Sequence, residues 1–358
     1  MGGEKIKRLP ISEIAPGMIT ARDIYSRNDQ LILNKDTVLG ADSIAKLMFY
    51  AVGGIWIYEE SQKEVEEDAY TATLRRSQDF EQFKQKYDTS VEEVKEVFER
   101  LVIGGEELDS QKLFGTIRDM VTDARSNVHI FNMLHCIREY DDLVFMHSIN
   151  VALICNVFGD WLRLPEKEKD MLTTCGLLHD VGKLLVPPRI LHKPGKLTED
   201  EYTIAKLHPE SGYELLKNTN VDERVLKVAM SHHERYDGTG YPKGIAGDDI
   251  DMFSCLVGIA DVYDAMTSKR LYRGPLCPFD VIKIFEEDGM RQFNPEYLLP
   301  VLGKLVETYI HHTVRLSDDS RGEVIMINPF SLARPVVKIG NVFVDLAKRK
   351  DLKIEEVL

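Results

Sequence analysis

The chain has 358 residues, of which 44% are hydrophobic, and its formal net charge is -14. This length and hydrophobic content suffice for two or three domains with buried cores. So acidic a chain is a poor binder of nucleic-acid polymers, because such binding needs many Lys and Arg contacts with phosphates. A negatively charged substrate would therefore need a metal ion or a few local basic side chains.

The cysteines indicate a reducing compartment. None forms a C-x-x-C pair with another, and most lie in apolar helical patterns, as buried free thiols do. They are Cys136, Cys155, Cys175, Cys255 and Cys277. The chain shows no signal-peptide pattern, and Asn156 and Asp160 interrupt its most apolar helical stretch. We therefore expect a cytoplasmic protein without membrane insertion.

The first 59 residues predict a small α/β accessory domain. Their apolar pattern alternates between strand and helix periodicity, and a polar turn at Asn28-Asp29 separates the first two strands. The predicted elements are strands at 18–25 and 31–34, a helix at 41–51 and a closing strand at 54–59.

Residues 60–109 predict a charged helical linker, with hydrophobic residues spaced by three and four and with a break at Gly104-Gly105. Its charges are those of a solvated helix face. A homodimer or a signalling partner, bound through this helix and the N-terminal domain, is the alternative interpretation.

Nearly all of the segment 110–320 predicts amphipathic helices and hence a helical bundle. Thr198 and Glu201 have the spacing of a capping box, and Pro278 suits the first turn of a helix.

The last segment, 321–358, predicts strands, two of them joined by a tight turn at Gly340-Asn341, and therefore a C-terminal β-hairpin extension. The fold class is mainly α: a helical bundle between a small α/β N-terminal domain and a short C-terminal β appendage.

The helical segment contains seven candidate metal ligands, each in or at the end of a predicted helix. They are His147, His179, Asp180, His208, His232, His233 and Asp261. First-row divalent metals prefer imidazole with carboxylate, whereas Mg and Ca favour oxygen ligands alone. Seven ligands exceed one tetrahedral site and fit two ions with a bridging carboxylate. Two metals about 4 Å apart can activate a water for in-line phosphoryl displacement.

Each of these residues taken alone has a simpler interpretation, as a core histidine or as a surface or capping aspartate. The adjacent pairs favour the metal site. Consecutive helical residues point about 100° apart, so their side chains converge only where a helix ends. Gly182 provides such an end behind His179-Asp180, and glycines likewise follow the adjacent histidines.

Four segments occur in the helical region in this order: GLLHDVGKLLVPPRILHKPGKLTEDEY, LHPESGYELL, HHERYDGTGYPKGIAGDDI and GIADVYDAMTSKRLYR. Together they resemble the successive motifs of the HD-GYP family, bacterial phosphodiesterases of the signalling dinucleotide cyclic di-GMP. The similarity covers about residues 140–315. As an ordered set the motifs are highly specific, whereas an isolated His-Asp dipeptide is not.

The resemblance implies a metal-dependent phosphohydrolase of the HD superfamily with two ions and a bridging hydroxide as nucleophile. One ion would be held by His147, His179, Asp180 and Asp261, and a second by Asp180, His208, His232 and His233. It implies iron or manganese, with Zn, Ni and Co as alternatives.

The resemblance also assigns substrate contacts. Lys183 would reach a phosphate oxygen or assist the leaving oxygen, and Arg270 and Arg273 could pair with the second phosphate through their guanidinium forks. Tyr241 offers a ring for guanine stacking. The simpler alternatives are solvated positions for the three basic residues and a structural use of the tyrosine ring.

Glu234 and Asp237 are candidates to orient the imidazoles or the loop amides from outside the ligand set. The loop itself is shaped by residues that permit unusual backbone conformations or stiffen the turn. These are Gly238, Gly240, Pro242 and Gly244.

The chain departs from the family pattern at three positions. Leu143 stands where some relatives carry a glutamate for a third metal, which disfavours a third ion. Asp142 is adjacent and Glu139 lies a turn earlier, so a third site stays open as an alternative. Cys255 stands where many relatives have arginine, and Leu271 where proline is common, which predicts altered support for the last ligand-bearing helix.

The predicted function is hydrolysis of cyclic di-GMP to pGpG, and the sequence leaves open whether pGpG or GMP is the final product. Two alternatives stay open from the sequence: a module that senses cyclic di-GMP with little turnover, and a phosphohydrolase of another nucleotide. The sequence gives no input signal for the N-terminal domain.

Overall fold

The computed structural model describes residues 6–11, 14, 18–26, 31–37, 39–50, 52–58, 77–103, 108, 110–123, 126–137, 143–191, 193, 197–268 and 276–358. Helices dominate this part of the chain, which confirms the predicted mainly α fold.

The N-terminal unit consists of two small antiparallel sheets and one helix. Its elements are β1 (Ile6–Pro10), β2 (Ile24–Tyr25), β3 (Leu31–Leu33), α1 (Ala41–Phe49) and β4 (Gly54–Tyr58). β1 pairs with β4, and β2 pairs with β3. These elements enclose a small core of their own that includes Ile14, Ile44, Leu47 and Ile57.

β1 is absent from the sequence-based prediction because it lacks an alternating apolar pattern. Its sequence, IKRLP, places two basic residues side by side, and its first three residues are exposed. Its position is set by long-range pairing with β4. The predicted strand at 18–25 is shorter in the structure, where only Ile24–Tyr25 is a strand and Thr20 forms an isolated bridge to Ile57.

The helical region begins with α2 (Gln78–Ile103), α3 (Ser110–Asp123), α4 (Asn127–Ile137), α5 (Leu143–Trp161) and α6 (Glu166–Leu178). A 3₁₀ helix (Val181–Leu185) follows, then α7 (Pro188–Leu191), α8 (Glu199–Ala205), α9 (His208–Leu216) and α10 (Glu223–Ser231). After a second 3₁₀ helix (Gly247–Asp249) come α11 (Met252–Thr267), α12 (Pro278–Ile284), a π-helical turn (Phe285–Gly289), α13 (Met290–Gln292) and α14 (Pro295–Glu307).

α5 is the central helix of the bundle. Its segment Val151–Phe158 is buried on every side, and it packs against α6 and α11. A helix that is apolar all round finds a stable place only inside a core. This burial brings His147, near the start of α5, into the interior.

α2 packs as part of the bundle, although its composition predicts a charged linker. One face is buried through Phe80, Phe83, Tyr87 and Phe98, while Glu92, Glu96 and Glu99 remain exposed. The solvated face expected from its charges is therefore present, and the opposite face belongs to the common core.

Local signals at helix ends match the structure. Thr198 and Glu201 form the capping box at the start of α8 by two reciprocal backbone contacts. Pro278 occupies the first turn of α12, whereas the predicted break at Gly104-Gly105 lies outside the described residues. Among the described helices, none is both long and apolar enough to cross a membrane.

The C-terminal segment forms a five-stranded antiparallel sheet in the order β8-β7-β6-β5-β9. The strands are β5 (Thr313–Leu316), β6 (Arg321–Met326), β7 (Val336–Ile339), β8 (Val342–Asp345) and β9 (Ile354–Val357). The expected hairpin between β7 and β8 is present, with Gly340 at φ 58°. The sheet begins ahead of the expected boundary at 321, because β5 pairs between β6 and the distant β9.

The N-terminal unit contacts the bundle through the end of α1. Phe49 packs edge-on against Phe285 and Phe293, with ring centroids 6.0 and 6.2 Å away. The Tyr50 hydroxyl donates a hydrogen bond to Asp288 Oδ1 at 2.6 Å. An aromatic cluster and a polar contact thus join the two parts.

We expect Gly182→Ala to destabilise the protein and Gly303→Ala to leave it unharmed. A Cβ at Gly182 would lie 2.0 Å from the His208 carbonyl oxygen and 2.4 Å from the Gly212 nitrogen, and backbone atoms cannot yield easily. The expected cost is about 1–3 kcal/mol or more, as for other overpacked sites. A Cβ at Gly303, in α14, meets nothing within 4 Å, so alanine there should add about 0.4–1 kcal/mol.

Thermal and denaturant unfolding of the two variants measures this difference. Equal stabilities would show that α9 does not depend on its close approach to the 3₁₀ helix after α6.

Candidate metal centre

The centre lies where α6 and α10 end and where the first 3₁₀ helix and α9 begin. The start of α5 lies close by. His179 is the C-cap of α6, and Asp180 directly precedes the 3₁₀ helix. His208 opens α9, and His232 is the C-cap of α10. Helix ends allow neighbouring side chains to turn towards one point, which the interior of a helix does not.

The structure brings all seven candidate ligands together in two groups. In each group, one ligand atom per residue lies within 4.8 Å of the others. One group is His147, His179, Asp180 and Asp261, and the other is Asp180, His208, His232 and His233.

Asp180 belongs to both groups and is fully buried. Its Oδ2 lies 3.4 Å from His179 Nε2 and 3.5 Å from His147 Nε2. Its Oδ1 lies 3.2 Å from His208 Nε2 and 3.6 Å from His232 Nε2. Each carboxylate oxygen therefore faces one group, as a bridging ligand requires.

Three of the histidines are fixed in one tautomer by backbone carbonyl groups three or four residues earlier in the chain. The Nδ1 atoms of His179, His208 and His232 donate to the carbonyl oxygens of Gly176, Ala205 and Val228 at 2.7, 2.8 and 3.0 Å. Because the proton is on Nδ1, the Nε2 lone pair points into the site. This is the arrangement in which imidazole ligates a metal.

The Nε2 atoms of the second group lie close together. His208 Nε2 lies 3.0 Å from His233 Nε2 and 3.4 Å from His232 Nε2. His179 Nε2 and Asp180 Oδ1 are buried, and neither has a hydrogen-bond partner among the described residues. An unsatisfied buried polar atom costs about 1–3 kcal/mol. A divalent cation removes this penalty, so the donor set fits a metal.

Burial and neighbouring charges set the protonation states. Burial would raise the pKa of Asp180, but Lys183 and His179 outweigh it and hold the pKa well below the usual carboxyl range. Burial lowers the pKa of His208, and burial together with His232 and His208 lowers that of His233. Anionic carboxylates and neutral imidazoles are the forms that bind metals.

His147 is held by a hydrogen-bonded chain that the sequence reasoning missed. Its Nδ1 donates to Asp264 Oδ2 at 2.8 Å, and Asn150 Nδ2 donates to Asp264 Oδ1 at 3.1 Å. The Tyr87 hydroxyl, from α2, donates to Asn150 Oδ1 at 2.7 Å. Burial lowers the pKa of His147, but hydrogen bonds to Asp261 and Asp264 outweigh this effect and raise it to about 9.

A sequence signal for part of this chain exists. Asn150 follows His147 by three residues, and Asp264 follows Asp261 by three, so each pair shares one helix face. Tyr87 has no such signal, because it reaches the site from a helix far away in the sequence.

The loop after His233 is held by Glu234. Its buried carboxylate accepts hydrogen bonds from the backbone N–H groups of Lys243 and Ile245 at 2.8 and 3.0 Å. Of the two expected roles, orienting imidazoles or loop amides, the contacts match the second. Asp237 likewise accepts from the Thr239 N–H at 3.1 Å.

The four loop-shaping residues differ in what they provide. Gly238 and Gly244 have positive φ angles of 76° and 66°. Gly240 instead permits close packing, since a Cβ there would lie 2.4 Å from Glu234 Cα. Pro242 follows a cis peptide bond.

Tyr241 and Lys183 lie beside the ligands. The Tyr241 ring stacks on His233 with centroids 4.6 Å apart, and Lys206 Nζ lies 4.5 Å from its centroid. The ring therefore supports a ligand, whatever else it contacts. Lys183 Nζ donates to Asp180 Oδ2, and its side chain is 27% exposed.

Arg235 is a further contact that the sequence reasoning missed. Its guanidinium donates to the carbonyl oxygens of His232 and Glu234 at 3.3 and 3.0 Å and lies 4.9 Å from the Phe293 ring centroid. Gly258, on α11, allows close approach to the same turn, since a Cβ would lie 2.8 Å from the His232 oxygen.

Several predicted positions lie outside the described residues: Arg270, Arg273, Leu271, Asp142 and Glu139. Leu143 is the first residue of α5, and Cys255 is buried in the first half of α11.

A family model of the HD domain matches residues 132–296. Over 202 residues the chain is 36% identical to a protein of Pseudomonas aeruginosa named cyclic di-GMP phosphodiesterase, an alignment that covers 56% of this chain and 48% of the relative. It is 35% identical over 185 residues to 3'3'-cGAMP-specific phosphodiesterase 2 of Vibrio cholerae, with 51% and 34% covered.

A third relative, a cyclic di-GMP phosphodiesterase response regulator of Xanthomonas campestris, is 43% identical over 124 residues, which cover 34% of this chain and 32% of the relative. The chain thus spans about half or less of the length of these curated relatives. Over residues 132–296 the chain is therefore similar to HD domains.

Proposed function

We propose that the chain hydrolyses a phosphodiester bond of cyclic di-GMP, giving pGpG and, in a second step, GMP. The observation that carries the proposal is the pair of ligand groups joined by the buried Asp180. The names of the relatives from Pseudomonas aeruginosa and Xanthomonas campestris support the same activity.

The two groups would hold two divalent ions, iron or manganese, through the seven residues assigned above. Two such metal ions, when bound, supply Lewis acidity and an activated water. The protein residues fix the arrangement beforehand, because Gly176, Ala205 and Val228 carbonyls and Asp264 hold four of the imidazole rings.

Lys183 has the position to act on the substrate. Its ammonium group contacts Asp180, and its side chain is partly exposed, so we expect it to reach a phosphate oxygen or to give a proton to the leaving oxygen. Arg270 and Arg273 would bind the second phosphate through bidentate contacts. Tyr241 and the glycine loop would form the rim beside the bases.

The preference for one cyclic dinucleotide over another depends on contacts with its bases and not on the metal ligands. Cyclic dinucleotides present similar phosphodiesters, and the Vibrio cholerae relative is named for 3'3'-cGAMP. A turnover assay on anaerobically purified protein should therefore compare cyclic di-GMP with 3'3'-cGAMP, with metal content counted on the same sample. Faster turnover of cyclic di-GMP with two metals per chain is expected. Tight binding without turnover at full occupancy would instead indicate a sensor, and preference for 3'3'-cGAMP would change the substrate assignment.

Asp180→Ala should reduce turnover by about 10³-fold or more, because the two metal ions contribute several kcal/mol to stabilisation of the transition state. The same variant should lose metal from both groups, as counted by elemental analysis. Asp249→Ala, at an exposed carboxylate, is the matched control. Full activity of Asp180→Ala would exclude the bridging role.

Lys183→Met should lower kcat by about 10²-fold or more, in the range of a lost general acid, while metal content stays at the wild-type level. Single-turnover kinetics and metal analysis on one preparation separate the two effects. A loss of metal that parallels the loss of rate would assign Lys183 to the support of Asp180.

Asp264→Asn should weaken metal binding by about 10–100-fold, because the carboxylate that orients His147 is lost. Competition with a chelator of known affinity measures this change, and Asp249→Asn serves as the control. Unchanged affinity would mean that Asn150 and Asp261 suffice to hold the ring.

A further inference from the structure

A cavity of about 380 Å³ opens in the N-terminal unit and is lined only by residues of that unit. Small-molecule sites in proteins commonly have volumes of about 300–1,000 Å³. The walls bring together two arginines and three aromatic side chains, namely Arg8, Arg22, Tyr25, Tyr50 and Trp56.

Trp56 neighbours both arginines of the wall. Arg8 lies directly opposite Trp56 in the pairing of β1 with β4, which puts the two side chains on one face of the sheet. The Arg22 guanidinium carbon lies 4.4 Å from the Trp56 ring centroid. A guanidinium stacked on an aromatic ring keeps its N–H groups free at the edge, where they can pair with an oxyanion by two parallel hydrogen bonds.

The described wall of this cavity carries two guanidinium groups against one carboxylate, that of Asp23, and is therefore net positive. Arg8 and Arg22 form no ion pair with another described residue, although the whole chain carries a net charge of -14. Asp23, the acidic residue of the wall, accepts a hydrogen bond from the backbone N–H of Lys35 at 2.6 Å. Two such arginines favour an anionic occupant.

We propose that this cavity binds a small phosphate ester of about the size of a nucleoside monophosphate. The arginines pair with the phosphate, and the exposed Tyr25 offers a ring and a hydroxyl to the remainder of the ligand. This inference goes beyond the proposed function and does not depend on it, since the cavity shares no residue with the ligand groups.

Tryptophan fluorescence gives a direct test, because the chain has only two tryptophans, Trp56 and Trp161. Trp161 stacks on Phe131 and Phe158, so Trp161→Phe replaces one ring by another and leaves Trp56 as the reporter. The titrations use the 358-residue chain with Asp180→Ala and Trp161→Phe, the first of which is chosen to remove binding through the metal centre. The probes are GMP, guanosine and inorganic phosphate.

GMP is expected to change the Trp56 emission saturably, with guanosine at least about 10-fold weaker because it lacks the charged group. Arg22→Met and Arg8→Met should each weaken GMP binding by about 10-fold or more, whereas Arg100→Met, at an exposed arginine of α2, should not. Because Arg22→Met also alters the surroundings of Trp56, calorimetry on the same variants provides the second measurement.

The absence of saturable GMP or phosphate binding below about 1 mM would overturn the proposal. So would binding that survives Arg22→Met and Arg8→Met unchanged. Both readouts are independent of turnover, so failure of the proposed phosphodiesterase activity would leave this test intact.

Discussion

The buried carboxylate of Asp180 is the constraint on which the site depends. A charged group without solvent contact must be offset by its neighbours. Here the Lys183 ammonium group offsets it on one side, and the imidazoles that face both carboxylate oxygens carry the lone pairs through which metal ions would complete the offset. The helices of the bundle are therefore arranged around one charge, and the division of the ligands into two groups follows from its two oxygens.

Rigidity of the centre comes mainly from backbone atoms. Three imidazoles are fixed by carbonyl groups of the preceding helical turn, so their orientation is inherited from the helices themselves. Glycines make this possible where helices approach closely, as at Gly182 and Gly258. Only His147 relies on a relay of side chains, and that relay extends through Asn150 to Tyr87 on α2. The charge-rich helix α2 thereby contributes a buried side chain to the support of His147.

The sequence predicts the site well where information is local. Adjacent ligands at helix ends, the capping box of α8 and the turn at Gly340 all follow from residue spacing and from known conformational preferences. Contacts between distant segments do not. The pairing of β1 with β4, the buried face of α2 and the insertion of β5 beside β9 depend on tertiary packing that no short window of sequence contains. The same holds for Tyr87 and for the carboxylate of Glu234, which binds amides nine and eleven residues further on.

The aromatic contact at the end of α1 makes the N-terminal unit part of the packing of the helical bundle. Phe49 packs against Phe285 and Phe293, and Phe293 also contacts Arg235, which donates to the carbonyl oxygen of His232. The N-terminal unit thus packs against residues that support the end of α10, where the candidate ligand His232 lies. Exchanging this unit for an unrelated domain would expose Phe285 and Phe293 to water. A replacement domain would therefore need an aromatic side chain that covers both rings.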